Sequence, residues 1–248
     1  MSLYSLRLLV AICAFIPSLL WLIFYYREDK HPEPKGLLVK IFFWGILLAA
    51  PALLLELGFK FAFQPDLGQS PFSLSSSSLL TVFLLIFLVG PMVEEALKIG
   101  VVYFNLLKKA CFDEPSDVMI YCVVVGLGFA GIENLLATLQ EQTLKGALLV
   151  LSFRFVSSTL LHASATAIAG YWIAKSLQKS KKFLAWFGFS LATILHSCYN
   201  YFIYQQGIVG PGFFTLATFF LLLLMSLAVL SQFKRLEIER STCVLKNN

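Results

Sequence analysis

The apolar residues of this chain arrive in uninterrupted blocks, and block length constrains the fold more than any other feature. A helix needs about 20 apolar residues to cross a hydrocarbon core. Seven such segments can be drawn, at roughly 4–26, 37–59, 79–107, 118–139, 147–174, 183–204 and 211–233. Between them lie REDKHPEPK, QPDLGQSPFSLSSSS, KKACFDEPSD, QEQTLKG, QKSKK and QQGIVGPG, which carry the Pro, Gly, Ser and charged residues of loops. In lipid, only helices and closed barrels satisfy every backbone polar group. Barrel strands would be about ten residues long with strict alternation, and no such alternation is present. The expected fold is therefore all-α: a polytopic transmembrane bundle of about seven spans, forming one integral-membrane domain over residues 1–248. Composition agrees. The chain is 58% hydrophobic and 13% charged, where a soluble domain carries about 25% charged residues. A soluble enzyme, a disordered chain and a disulfide-rich secreted module are all excluded.

The net charge of +5 does not imply nucleic acid, because the basic residues sit between apolar blocks. Fourteen of the 19 Lys and Arg fall in the first, third and fifth connections and the C-terminal tail. Arg7, Lys60, Lys145 and Arg154 fall on the other side, and Lys98 lies within a span. Basic residues accumulate on the cytoplasmic side, so the N-terminus is expected outside the cytoplasm and the C-terminus inside. The first block lacks a small-residue cleavage site and reads as a retained span. Five cysteines without metal-ligand spacing do not suggest disulfides or a zinc finger. Trp21, Tyr25, Tyr26, Tyr171 and Trp172 lie near span ends and are expected as interface anchors.

Ionisable residues inside spans are costly, so each marks a candidate site. The third block contains GPMVEEALK, with Glu94, Glu95 and Lys98. The fourth contains GFAGIEN, with Phe129, Glu133 and Asn134. The fifth holds Arg154 and His162, and the sixth contains HSCYN, with His196 and Asn200. Glu94 and Lys98 are four residues apart and share a helix face, as do His196 and Asn200, while Glu95 is turned about 100° away. Pro91 removes a backbone hydrogen bond just ahead of the glutamates and should kink the helix. Taken singly, Glu94–Lys98 reads equally well as a structural ion pair, His162 as a hydrogen-bonded core residue, and Gly126, Gly128 and Gly131 as packing contacts. Together, interior polar groups on four consecutive spans point to one shared pocket near the midplane.

Such a pocket can activate water, with a glutamate moving the proton and imidazole or amide groups holding the water or the oxyanion. Glu and His are also zinc ligands, although HExxH is absent. Serines lack a nucleophile setting, and no aspartate lies within a span. A proton-coupled transporter built on the same carboxylates and histidines is the competing class, and the absence of an internal repeat weighs against it.

At these residues the sequence resembles the PrsW family of intramembrane proteases, itself distantly similar to the CAAX-prenyl-protease and bacteriocin-processing superfamily. The resemblance runs from about Tyr25 to Asn200. It begins with Asp29, Glu33 and Pro34, continues through Glu94-Glu95-x-x-Lys98 and then Phe129, Glu133 and Asn134, and closes on His162 and the His196-x-x-x-Asn200 pair. It implies an intramembrane endopeptidase that cleaves a membrane-anchored protein such as an anti-sigma factor. The implied catalytic set is Glu94, Glu95, His162, His196 and Asn200, supported by Lys98, Phe129, Glu133 and Asn134. Glu94 or Glu95 would be the base, with the other orienting it. A metal-free glutamate mechanism is favoured, with zinc as the alternative. Any metal would be drawn from Glu95, Glu133, His162 and His196. CAAX-type processing of a lipidated tail is a further alternative.

Overall fold

The computed structural model describes residues 3–28, 33–63, 88–105 and 114–246. Among the described residues there are nine helices and no strands. They are α1 (Leu3–Cys13), α2 (Ile16–Glu28), α3 (Lys35–Phe63), α4 (Gly90–Asn105), α5 (Pro115–Thr138), α6 (Leu144–Val156), α7 (Ser158–Lys179), α8 (Phe183–Val209) and α9 (Phe213–Lys246).

Two pairs of these helices are single membrane segments with a break inside. The turn at residues 14 and 15 separates α1 from α2, three residues before Pro17. The Pro17 ring would collide with the Cys13 carbonyl in a continuous helix, so the chain starts a new helix instead. Ser157 separates α6 from α7 with φ −120° and ψ −95°, and neither Pro nor Gly stands at that point. Nine helices thus correspond to the seven expected segments. Five stretches are long and apolar enough to cross a membrane: Arg7–Glu28, Lys35–Phe59, Pro115–Thr138, Leu144–Lys179 and Phe213–Ile238. The remaining two segments are α4 and α8. Residues 79–87 of the expected third span lie outside the described residues.

Helix α5 runs through the middle of the bundle. Val118, Met119, Tyr121, Cys122, Val123, Leu127 and Ala130 are fully buried, and a helix apolar on every side must be surrounded. Its start is fixed by the acidic loop. Pro115 occupies the first helical position, where its missing N–H costs nothing, and the Glu114 backbone N–H donates to Asp117 Oδ2 at 2.8 Å.

Small residues let the neighbours come close. A Cβ on Gly128 would collide with the Phe42 carbonyl of α3, and one on Gly126 would lie 2.7 Å from the His162 carbonyl of α7. One on Gly131 would meet the Phe15 ring beside α2. The three glycines expected as packing contacts therefore set the approach of three different neighbours to α5. The outer faces of the bundle are apolar, with Leu54, Phe104, Phe153, Trp186, Phe213 and Leu224 exposed. Two expected interface anchors are instead core residues, since Tyr25 and Tyr171 are buried. Trp21 turns inward as well, stacking on Phe155 and donating Nε1–H to its carbonyl at 2.8 Å.

Candidate active site

The polar residues of four segments meet inside this bundle. Leu88 and Val89 form a π-helical turn immediately before α4, where Pro91 cannot donate its backbone hydrogen bond. A local change of helix type of this kind is common at functional sites. Glu94 and Glu95 follow in the first two turns of α4. Consecutive residues point about 100° apart, and here that rotation separates their environments. Glu95 is fully buried, whereas the Glu94 side chain keeps 11% of its surface exposed.

Glu95 has its acceptors committed. Its Oε1 accepts from Lys98 Nζ at 2.9 Å and pairs with His196 Nδ1 at 3.0 Å, and its Oε2 accepts from Thr166 Oγ1 at 2.8 Å. Glu94 has one close partner, Lys98 Nζ, 3.1 Å from Oε2. The same oxygen lies 3.8 Å from His162 Nδ1 and 3.9 Å from His196 Nε2. The two imidazoles meet edge to face, with centroids 5.0 Å apart.

Each imidazole also has its outer nitrogen on a carboxylate. His162 Nε2 sits 2.9 Å from Glu133 Oε2, and His196 Nδ1 sits on Glu95. Assigning a proton to each of those outer nitrogens satisfies both contacts. It leaves the lone pair of His162 Nδ1 to Lys98 Nζ, 2.9 Å away and nearer than Glu94, and that of His196 Nε2 turned toward Glu94. Glu133 is itself steadied by Arg154, whose Nη2 donates to Oε2 at 2.9 Å while its Nε donates to Asn134 Oδ1 at 2.6 Å. Asn134 closes the chain by donating Nδ2–H to Thr159 Oγ1 at 3.1 Å. Phe129 packs 5.4 Å from the His162 ring.

Donor atoms from Glu94, His162 and His196 all lie within 4.8 Å of one another. Ligands about 2.0–2.2 Å from a tetrahedral zinc stand roughly 3.3–3.6 Å apart, so small side-chain rotations bring these three into range. Carboxylates on the far nitrogens are the support that metal-bound histidines usually have. The donor set fits a divalent ion. Both histidines of the expected metal set take part, but the carboxylate facing them is Glu94. Glu95 and Glu133 instead stand behind the rings.

Of the residues singled out in the sequence, Glu94, Glu95, Lys98, Phe129, Glu133, Asn134, His162 and His196 come together. Asn200, half-buried one turn beyond His196, makes no hydrogen bond to this cluster. Glu33 is buried elsewhere, accepting a short hydrogen bond from Tyr121, and Asp29 lies outside the described residues. Thr166, Ser158 and Glu56 were not anticipated. Thr166 stands one turn from His162 on α7, a spacing that could have revealed it. Glu56, near the end of α3, is within electrostatic reach of Glu94, Glu133 and His196.

Comparison with known proteins gives consistent results. A family model described as PrsW family intramembrane metalloprotease matches residues 33–229. The protein named Protease PrsW from Geobacillus kaustophilus is 29% identical over 201 residues, covering 78% of this chain and 80% of that protein. Its namesake in Halalkalibacterium halodurans is 30% identical over 193 residues, covering 75% and 80%. The one in Bacillus subtilis is 26% identical over 194 residues, covering 75% and 79%. No solved structure matches the chain.

Proposed function

We propose how this chain, which belongs to the PrsW family of intramembrane metalloproteases, carries out peptide hydrolysis. The protein is a membrane-embedded protease; the assignments that follow are our reading of its site. Glu94 Oε2, His162 Nδ1 and His196 Nε2 would hold the metal, with zinc favoured by the nitrogen-rich donor set. A bound zinc would acidify water and polarise the scissile carbonyl. The observation that carries the reading is the convergence of these three atoms, each ring backed by a carboxylate on its other nitrogen.

The remaining chemistry belongs to the chain's own groups. Glu94 Oε1, which is outside the cluster's hydrogen bonds, takes the proton of the attacking water. The resulting hydroxide adds to the carbonyl carbon, the C–N bond breaks, and Glu94 returns the proton to the departing amine nitrogen. Glu95 and Glu133 act through the histidines, each fixing a tautomer and ring orientation. Arg154 holds Glu133 in place. The substrate class we assign is a single-span membrane protein of the anti-sigma-factor type, as the family resemblance implies, cut in a site-1-type step. The bias of Lys and Arg supports an extracytoplasmic N-terminus and a cytoplasmic C-terminus.

The test uses purified full-length protein and a panel of fluorescently tagged single-span substrates. Wild type runs beside Glu94→Gln, His162→Ala and His196→Ala, each with a strong chelator and with zinc restored. The expected result is cleavage by wild type, lost with chelator, recovered with zinc, and absent from all three variants. Cleavage insensitive to chelator would remove the metal centre, and cleavage surviving in every variant would remove the site.

A further inference from the structure

Lys98 has no role in the proposed hydrolysis, yet it is fully buried at the centre of the cluster. All three ammonium protons have acceptors: Glu94 Oε2 at 3.1 Å, Glu95 Oε1 at 2.9 Å and His162 Nδ1 at 2.9 Å. Its remaining side faces the Phe129 ring, with Nζ 4.3 Å from the centroid, a further favourable position for a cation. Two of the three acceptors, Glu94 Oε2 and His162 Nδ1, are atoms that the proposed metal centre requires.

This overlap is a competition. A neutral imidazole has one in-plane lone pair. With the outer nitrogen of His162 donating to Glu133, the lone pair of Nδ1 serves either the ammonium or an ion. Charge acts in the same direction. Three carboxylates, Glu94, Glu95 and Glu133, face two fixed cations, Lys98 and Arg154. A divalent ion at Glu94 would meet the Lys98 charge at close range in a poorly screened interior.

We infer that Lys98 is a built-in competitor for the metal site: its ammonium holds Glu94 and His162 as an internal counter-cation, and a divalent ion binds by displacing it from those two atoms. Glu95 remains as the partner of the displaced ammonium. The inference rests on the metal-centre reading above. It adds a selectivity device to that site. An ion must bind imidazole strongly enough to evict the lysine, which zinc does and the oxygen-seeking magnesium and calcium do not.

The experiment compares full-length wild type with Lys98→Met and Lys98→Gln, each stripped of metal in detergent. Zinc affinity is measured by competition with a chromophoric chelator, and thermal unfolding is followed with and without zinc. Both variants should bind zinc at least about tenfold more tightly than wild type, as expected from removing a unit charge beside the ion. Zinc should also raise their unfolding temperature by more. A variant that folds only when zinc is present supports the inference too, because the ion then supplies the missing positive charge. Folded variants with equal or weaker zinc affinity would overturn it, as would variants that fold in neither condition. If no protein, wild type included, binds zinc, the metal centre itself fails and the inference falls with it. Equal binding by all three would remove the inference alone.

Discussion

Glu95→Gln should cost far more stability than Glu94→Gln, although the two residues are adjacent and chemically identical. Glu95 is fully buried and takes part in three hydrogen bonds, with Lys98, His196 and Thr166, at 2.8–3.0 Å. Hydrogen bonds to a charged group contribute about 1.5–3 kcal/mol each. Glutamine retains one carbonyl oxygen but turns an NH2 toward one of these donors, and removes the charge that faces both Lys98 and His196 in a fully closed environment. Breaking a buried pair in this way costs about 3–5 kcal/mol. Glu94 has one such bond, at 3.1 Å, and a partly exposed edge, so its replacement should cost about 1–2 kcal/mol. Net stabilities are only about 5–15 kcal/mol, so the difference is readily measured. The assay is equilibrium unfolding of both variants in mixed detergent micelles, with substrate cleavage followed in parallel. Glu94→Gln should stay folded and lose activity, while Glu95→Gln should unfold well before wild type. Equal destabilisation, or the reverse order, would refute the division of labour between them.

Two further outcomes follow from the outer contacts. Glu133→Gln should weaken zinc binding by about 10- to 100-fold while Arg154 keeps its bond to Asn134; an unchanged zinc dissociation constant would show that His162 needs no support from behind. Gly126→Val should push α5 from α7, destabilising the protein by about 1–3 kcal/mol and reducing cleavage. The control Gly100→Ala, on the open side of α4 with no atom within 4 Å of the added carbon, should be tolerated in both unfolding and cleavage assays.

The seven segments were legible because lipid imposes one length on every span. The cluster that forms the candidate site was legible because a charge inside a span is too costly to be incidental, which drew attention to Glu94, Glu95, Glu133, His162 and His196. Which glutamate faces the histidines was not legible. Spacing gives the angle between neighbours on a helix but not which of them points into the bundle. The break at Ser157 was equally hidden, since no Pro or Gly marks it, whereas Pro17 did stand beside the first break. Arg154 read in part as an outer-face charge used to orient the chain. Its place beside Glu133 depends on the fold of α6 back against α5, a tertiary contact that local sequence does not encode. Tyr25 and Tyr171 misled for the opposite reason, because aromatic residues near span ends suit an interface as well as a core.

The interruption at Ser157 changes the electrostatics of the fifth segment. A continuous transmembrane helix carries its partial charges at its two ends, near the headgroups. Dividing it at Ser157 places the amino end of α7 inside the bundle, where its first N–H groups have no earlier carbonyls to bond and carry partial positive charge. Ser158, the first residue of α7, has its hydroxyl 3.5 Å from Glu133 Oε2. Glu133 thus faces a guanidinium, an imidazole and the hydroxyl at the amino end of a helix, all three within five residues of the break. A broken helix thereby brings backbone positive charge to a carboxylate in the interior of the bundle, where an unbroken helix would offer none.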